Sequence, residues 1–344
     1  MKQLLNKTIF LLAFICIIGF SNTANAQGDL DGFLGAMQED VNAGKADVNT
    51  LLEGYMGPFM NGFGSGFANG WMNTAKPHKT LGFDLGIVAG LAFVPDKDLA
   101  FSIANLNILE RSDGLETIPT LFGADEDYDL QVIGNPSSTM PGVPGTNMKD
   151  EIGFNAAPYA IPQLGIGIVK GTDIKLRLLP EIELGENDGR LKVFGIGVMH
   201  DIKQHIPGIK NLPFDLSGFI GYTKIDLTAE YSDPGNVDAK GQFTTKAITV
   251  QAMISKKFSV ITLYGGVGFN SVSSSIKVLG DYEIDVIASL PAVQVVDPVD
   301  LSFKTGGPRM TAGFRLKLAI LTIHADYTLQ KYSTLTMGVG FAVR

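Results

Sequence analysis

The sequence predicts an all-β membrane protein: a closed, antiparallel, up-and-down transmembrane β-barrel preceded by a short helical plug. Three observations predict it. From Thr80 onward, apolar residues recur at every second position. After position 26 no apolar run approaches the ~18 residues that a membrane-spanning helix needs. The chain also opens with the three parts of a secretory signal.

The signal comes first. Lys2 and Lys7 supply its charged start, Ile9 to Phe20 its apolar run, and Ala24-Asn25-Ala26 a small-x-small cleavage site. Residues 1–26 are therefore expected to be removed, leaving a mature chain from Gln27. Cys16, the single cysteine, lies inside the signal. The mature chain then has no disulfide, thiolate metal site or cysteine nucleophile. Ile15 is bulky where a lipoprotein signal needs a small residue, which argues against lipidation. A net charge of −8 argues against a nucleic-acid partner.

Residues 27–79 have a helical period and are expected to plug the barrel. Leu30, Phe33, Leu34, Met37 and Val41 fit one face of a short helix, and Val48, Leu51, Leu52 and Tyr55 fit a second. Tyr55, Phe59, Phe63, Phe67 and Trp71 then recur every four residues, with Gly62, Gly66 and Gly70 beside the last three. Each glycine costs a helix about 1 kcal/mol relative to alanine. The pattern thus reads as a helix squeezed against another backbone, or as no regular helix. Two roles remain open for the aromatics: lining a path for a small apolar ligand, or packing that merely blocks the lumen.

Residues 80–344 read as the barrel. Leu81, Phe83, Leu85, Ile87, Ala89, Leu91 and Phe93 form a uniformly apolar face opposite mostly small residues. The last 35 or so residues repeat the alternation in three segments joined by short links. Further candidates are Leu99–Asn107, Gln163–Val169, Ile174–Leu184, Leu191–Met199, Phe214–Leu227, Thr244–Ser255 and Ser259–Lys277, with Pro180 marking a bulge. The count is eleven. Single-chain bacterial barrels carry an even number, so the expectation is about twelve, within a range of ten to fourteen. Short connections fall on the side of the C-terminus, and the long ones, above all Arg111–Tyr159, on the other. That loop, acidic and rich in Pro, Gly and Ser, is expected to be a mobile surface loop or to fold back into the barrel.

The non-apolar faces carry glycine, serine, threonine and isolated charges, which suits a wet lumen better than the surface of a soluble sandwich. Arg315, Lys317, His324 and Asp326 share one face of adjacent strands and form a candidate luminal charge cluster, with Arg315 neutralising its neighbours. Strands this long need closure in lipid, where every backbone group must find a partner. Export plus a barrel places the protein in the outer membrane, its partners being membrane lipid and the insertion machinery. Phe341 lies three positions before the end, where such barrels often finish on an aromatic residue.

Catalytic signals are weak. The four histidines make no His-Glu-x-x-His pattern, and no Gly-x-Ser-x-Gly elbow occurs. His324 with Asp326 could suggest a barrel hydrolase, but neutralisation by Arg315 is the reading adopted. No enzyme activity, cofactor or metal is expected.

Two stretches carry a resemblance. Asn69-Gly70-Trp71-Met72-Asn73-Thr74-Ala75-Lys76-Pro77-His78-Lys79-Thr80-Leu81-Gly82-Phe83-Asp84 is one; His200-Asp201-Ile202-Lys203-Gln204-His205-Ile206-Pro207-Gly208-Ile209-Lys210, running into Leu212 to Leu216 and Gly221-Tyr222, is the other. Together they resemble a family of Bacteroidota outer-membrane proteins of unknown function, across nearly the whole mature chain. More loosely, a plug followed by a barrel is similar in architecture to the long-chain fatty-acid transporters. That likeness implies a luminal hatch and hydrophobic substrates, although Asn73-Thr74-Ala75 stands where a hatch Asn-Pro-Ala would be expected. The resulting expectation is a channel or transporter for small or hydrophobic compounds. A structural or surface-interaction barrel with a closed lumen competes with it, and a hydrolase ranks third.

Overall fold

The computed structural model describes residues 41–184, 189–233, 236–284 and 293–343. The expected signal, and all but the last position of the helix expected over Leu30 to Val41, lie outside these residues. Ten strands form a closed barrel. They are β1 Phe83–Phe93, β2 Ala156–Gly167, β3 Thr172–Leu184, β4 Gly189–Asp201, β5 Asp215–Asp233, β6 Asn236–Phe258, β7 Ile261–Leu279, β8 Val299–Leu318, β9 Leu321–Leu329 and β10 Thr334–Val343. Each pairs antiparallel with its sequence neighbour, and β1 closes the cylinder on β10, with Phe83 opposite Val343.

The expected count of about twelve is therefore corrected to ten. Of the eleven candidates, Leu99–Asn107 is not in the wall. Its strand, Ala100–Ser102, pairs with Thr117–Pro119 outside the cylinder. Three short strands, Leu109–Arg111, Asp129–Val132 and Asn135–Pro141, make a second small sheet there. Together with a one-turn helix, Met148–Ile152, they build a folded cap over residues 94–155. Alternation over so few residues is equally compatible with a strand of such a cap. The cap has its own apolar core around Ile103, Leu109, Ile118, Tyr128 and Leu130. It is thus an ordered unit, and it sends Leu121 and Phe122 into the core of the barrel.

Along every wall strand, alternate side chains point outward, as the pleat requires. On β1 and β10 these are Leu85, Ile87, Met337, Val339 and Phe341; on β5, β6 and β7 they include Ile220, Ile248, Ile254, Leu263 and Phe269. Large apolar side chains therefore lie exposed all the way round the cylinder. Soluble monomers rarely expose contiguous apolar surface of more than a few hundred Å². The connections 168–171, 202–214, 259–260 and 319–320 cluster at one end, the turn end; the cap and the link from β7 to β8 lie at the other, the loop end.

One seam is incomplete. β2 pairs with β3 only from Leu164↔Leu176 to Gly167↔Asp173, whereas β1 and β2 pair along their whole length. Loop-ward of Gln163 and Arg177 the two strands splay. Pro158 and Pro162 on β2 and Pro180 on β3 have no N–H to give a ladder. Pro180 also sits at a register shift between β3 and β4, where the bulge was expected.

Among the described residues the plug holds one helix, α1 Val41–Phe67. It enters at the loop end, where Lys45 and Asn49 reach the carbonyls of Val296 and Pro298. An extended stretch then descends to the turn end, where Leu81 N–H meets the Gly167 carbonyl. The chain thus threads the lumen from end to end before it starts the wall.

Candidate functional site: the plugged lumen

The site is the contact between plug and wall. Its loop end is fixed by Asp47, whose fully buried carboxylate accepts hydrogen bonds from the Asn107, Ile108 and Leu109 amides at 2.8–3.2 Å and from Asn107 Nδ2 at 2.7 Å. This ties α1 to the cap. Tyr55 donates to the Pro144 carbonyl at 3.1 Å, and Tyr128 of the cap to Val143 at 3.2 Å. Burial pushes the Tyr55 and Tyr128 hydroxyls up to about 12. Arg111, also in the cap, pairs with Asp113 and Glu126, each at 3.0 Å.

Three of the five predicted plug aromatics, Phe59, Phe63 and Phe67, pack one on another. Phe59 and Phe63 stack at 5.6 Å, Phe63 meets Phe67 edge-on at 4.6 Å, and Phe63 also meets Phe243 of β6 at 5.6 Å. Phe67 continues onto Tyr159 of β2 at 5.8 Å, and Phe59 onto Phe122 of the cap at 6.4 Å. Tyr55 packs against this cluster, and Trp71 joins a second one lower down. Neither of the two cavities described below is lined by these rings. The rings pack with wall and cap side chains inside the cylinder. The glycine stripe explains how the helix fits. A Cβ at Gly62 would press Ala157 of β2, one at Gly66 would strike the Tyr159 ring, and one at Gly70, whose φ is +73°, would strike Val88 of β1. At these three positions the plug lies tight against side chains of β1 and β2.

Below the ladder the wall grips the end of α1. The last carbonyls of a helix have no partner within it and carry the negative end of its dipole. α1 has no basic residue in its last turn. The wall supplies two. Arg177 of β3, fully buried, donates to the carbonyls of Phe67 at 2.7 Å and Asn69 at 2.5 Å, and through Nε to Gln163 Oε1 at 3.0 Å. Arg309 of β8 donates to the Ala68 carbonyl at 2.9 Å and to the Asn69 side chain. Thr249 adds a third donor, to Ala68 at 2.9 Å. Trp71 lies under the Arg177 guanidinium at 3.8 Å. Its far face rests on Gly195 and Gly221, where a Cβ would stand 3.2 and 3.0 Å from the indole.

Sequence reasoning missed both arginines. A signal existed. Arg309 has the parity of Arg315, and Arg177 that of Asp173 and Lys175, so the alternation already turns them inward. What it lacks is the plug carbonyls they meet.

The predicted cluster of Arg315, Lys317, His324 and Asp326 does face the lumen, near the turn end. Arg315 and His324 are cross-strand partners. No ion pair among the described residues includes Arg315 or Asp326. Asp326 lies opposite Gly313, one inward position away from Arg315. The bare Gly313 lets the Tyr264 ring of β7 pass, and its hydroxyl donates to Asp326 at 2.9 Å. His324 Nδ1 meets Asn73 of the plug at 3.3 Å, and Lys317 lies half-buried nearer the turns. The ion pairs form elsewhere. His78 of the plug contacts Asp173 at 2.8 Å and Asp84 at 3.6 Å, and Lys175 contacts Asp84 at 3.6 Å. Between Asn73, Asp84, Gln163, Thr322 and His324 only about 20 Å³ remains, room for about one water molecule. His200 and His205, five apart in sequence, meet through their Nε2 atoms at 2.9 Å in the turn region. No group of three or more His, Cys, Asp or Glu side chains among the described residues could hold a metal.

No curated protein matches the chain. Solved structures are similar at low identity. The outer-membrane protease OmpT of Escherichia coli is 8% identical, over 76% of this chain and 95% of that one, with a TM-score of 0.30. The translocator domain of the autotransporter NalP of Neisseria meningitidis is 10% identical, over 78% and 90%, with a TM-score of 0.31. A Pseudomonas aeruginosa FadL homologue is 10% identical, over 86% and 96%, with a TM-score of 0.22. Likenesses this low carry no argument about activity. A family model, by contrast, matches residues 1–343, and the chain belongs to that family, described as one of unknown function (DUF6588).

Proposed function

We propose that this protein is an outer-membrane barrel held closed by its own plug, and that it presents the folded cap of residues 94–155 at the cell surface for interaction. The exterior apolar belt supports the membrane. The signal-like start, and the resemblance of residues 69–84 and 200–222 to Bacteroidota outer-membrane proteins, support the outer one. The observation that carries the closed lumen is the double arginine grip on the end of α1 beneath an unbroken aromatic stack. Displacing the plug would strand two buried cations and several carbonyls at once. No hydrolysis is assigned to His324 and Asp326, each of which is engaged by a neighbour inside the filled bore.

A transport reading keeps one specific support. Part of the wall facing the plug is hydrophilic, with Thr245, Thr249, Gln251, Asn270, Thr311, Thr328 and Thr336 buried against it, while Val193, Ile225, Leu227, Phe243, Leu301 and Phe303 make it apolar beside the aromatic ladder. A displaced plug would leave a bore with a polar part and an apolar part. Planar-bilayer conductance separates the two. The intact protein should be silent, and Arg177→Gln with Arg309→Gln should open intermittently. Steady conductance by the intact protein would establish the channel reading in its place.

A further inference from the structure

The exterior wall is not equally apolar along its height. β5 to β8 run 19 to 23 residues, about twice the ~10 that cross a bilayer. Their loop-ward parts project past the belt. On β4, β5 and β6 the outward apolar series ends at Phe194, Tyr222 and Ile248, and the next outward residue on each strand is a lysine: Lys192, Lys224 and Lys246. On β8, Lys304 follows beyond Pro308 and Gly306. The opposite side of the cylinder differs. No outward position of β9, β10, β1 or β2 carries a lysine or arginine. The cations are thus concentrated on one flank of a protein whose net charge is −8.

Lys192 lies opposite Asp226, but the next row of the flank is unbalanced. Lys224 and Lys246 are direct cross-strand partners, an arrangement that like charges disfavour. Lys224 is paired with Asp226 at 2.7 Å. Lys192, Lys246 and Lys304 have no ion-pair partner among the described residues. Just above, a concavity of about 180 Å³ opens on the same exterior face, lined by Glu181, Arg190, Lys192, Asp226, Thr228 and Lys240. Exposed lysines of like sign, adjoining an apolar wall and a polar hollow, fit a ligand with several anionic oxygens joined to acyl chains. The chains would lie on the belt and the oxygens would meet the ammonium groups.

We propose that this flank, centred on Lys192, Lys246 and Lys304, binds the phosphorylated headgroup of an outer-leaflet glycolipid. The proposal rests on the outer-membrane reading above and names the lipid class that the wall would recruit. It requires the loop end to face the outer leaflet, where headgroups lie at the height of these lysines.

The test uses the full chain in vesicles of neutral phospholipid containing either a phosphorylated lipid A or the same lipid A with its phosphates removed. Bound glycolipid is counted by native mass spectrometry after gentle extraction. The wild type should retain the phosphorylated form. The K192Q/K246Q/K304Q variant should retain it roughly tenfold to hundredfold less, with its heat-modifiable gel shift intact. Inorganic phosphate at the same concentration should not compete, because the acyl chains supply part of the affinity. Equal retention by variant and wild type, or of both lipid forms, would overturn the proposal. Competition by inorganic phosphate would reduce the flank to a free-anion site and overturn the lipid assignment. A wild type that fails to enter vesicles at all would instead sink the membrane reading, and the proposal with it.

Discussion

The guanidinium of Arg177 lies 3.8 Å above the indole of Trp71, and the same side chain donates to two carbonyls at the end of α1. A wall strand and the plug are thereby joined at one residue, through stacking and hydrogen bonding together. Trp71 is the single tryptophan of the sequence, so the plug carries its own optical reporter.

Arg177→Ala should therefore be costly. It removes the stack on Trp71 and leaves the Phe67 and Asn69 carbonyls and Gln163 buried without their donor. A stranded buried group costs ~1–3 kcal/mol, so a loss of about 3 kcal/mol or more is expected. Urea unfolding in detergent should show it, and Trp71 emission should shift to the red before the strands melt. Arg177→Lys keeps the charge but loses the fork, and should recover only part of the stability. Unchanged emission and midpoint in both variants would remove the grip from the account.

The plug and the cap also respond to alkali in a defined direction. Burial raises the Tyr55 and Tyr128 hydroxyls to about 12, above the ordinary value near ~10. The folded form thus holds these protons more tightly than the unfolded chain does. The associated stabilisation is complete below pH ~10 and is lost as pH rises from there through about 12. Ultraviolet titration should show late-ionising tyrosines. Amide exchange in residues 94–155 should quicken in that window, and Tyr128→Phe should remove part of the dependence. Ionisation of both groups at the ordinary value would contradict the packing described.

The splayed seam makes a prediction about dynamics. Loop-ward of Gln163 and Arg177, β2 and β3 lack the shared ladder that β9 and β10 have from end to end. The amides of residues 156–163 and 178–184 that point into the seam should exchange at least ~10-fold faster than those of β9. Uniform protection around the cylinder would mean that the seam is closed in solution.

Much of the barrel was legible because its signal is local and repeated. Strict alternation over β1, β9 and β10 fixed which side chains face outward, and the even-number rule brought the count near. Leu99–Asn107 misled because nine residues cannot distinguish a wall strand from a strand of a cap. The plug was half legible. Gly62, Gly66 and Gly70 pointed to close backbone contact, but nothing local named β1 and β2 as the partner. Arg177, Arg309 and Tyr264 were not legible as site residues. Each acts on a group more than sixty positions away, and only closure of the sheet around the plug brings them there. The ion pair of His78 with Asp173, 95 positions away, failed to stand out for the same reason.

A cysteine scan of β10 tests the transmembrane barrel most directly. Cys16 would be replaced, single cysteines placed from Leu335 to Phe341, and each labelled with a nitroxide in vesicles. Collisions with oxygen, which concentrates in lipid, should peak at Leu335, Met337, Val339 and Phe341 and fall at Thr336, Gly338 and Gly340. A profile without that period of two, or one in which a water-borne relaxing agent reaches the odd positions best, would contradict a wall that faces lipid.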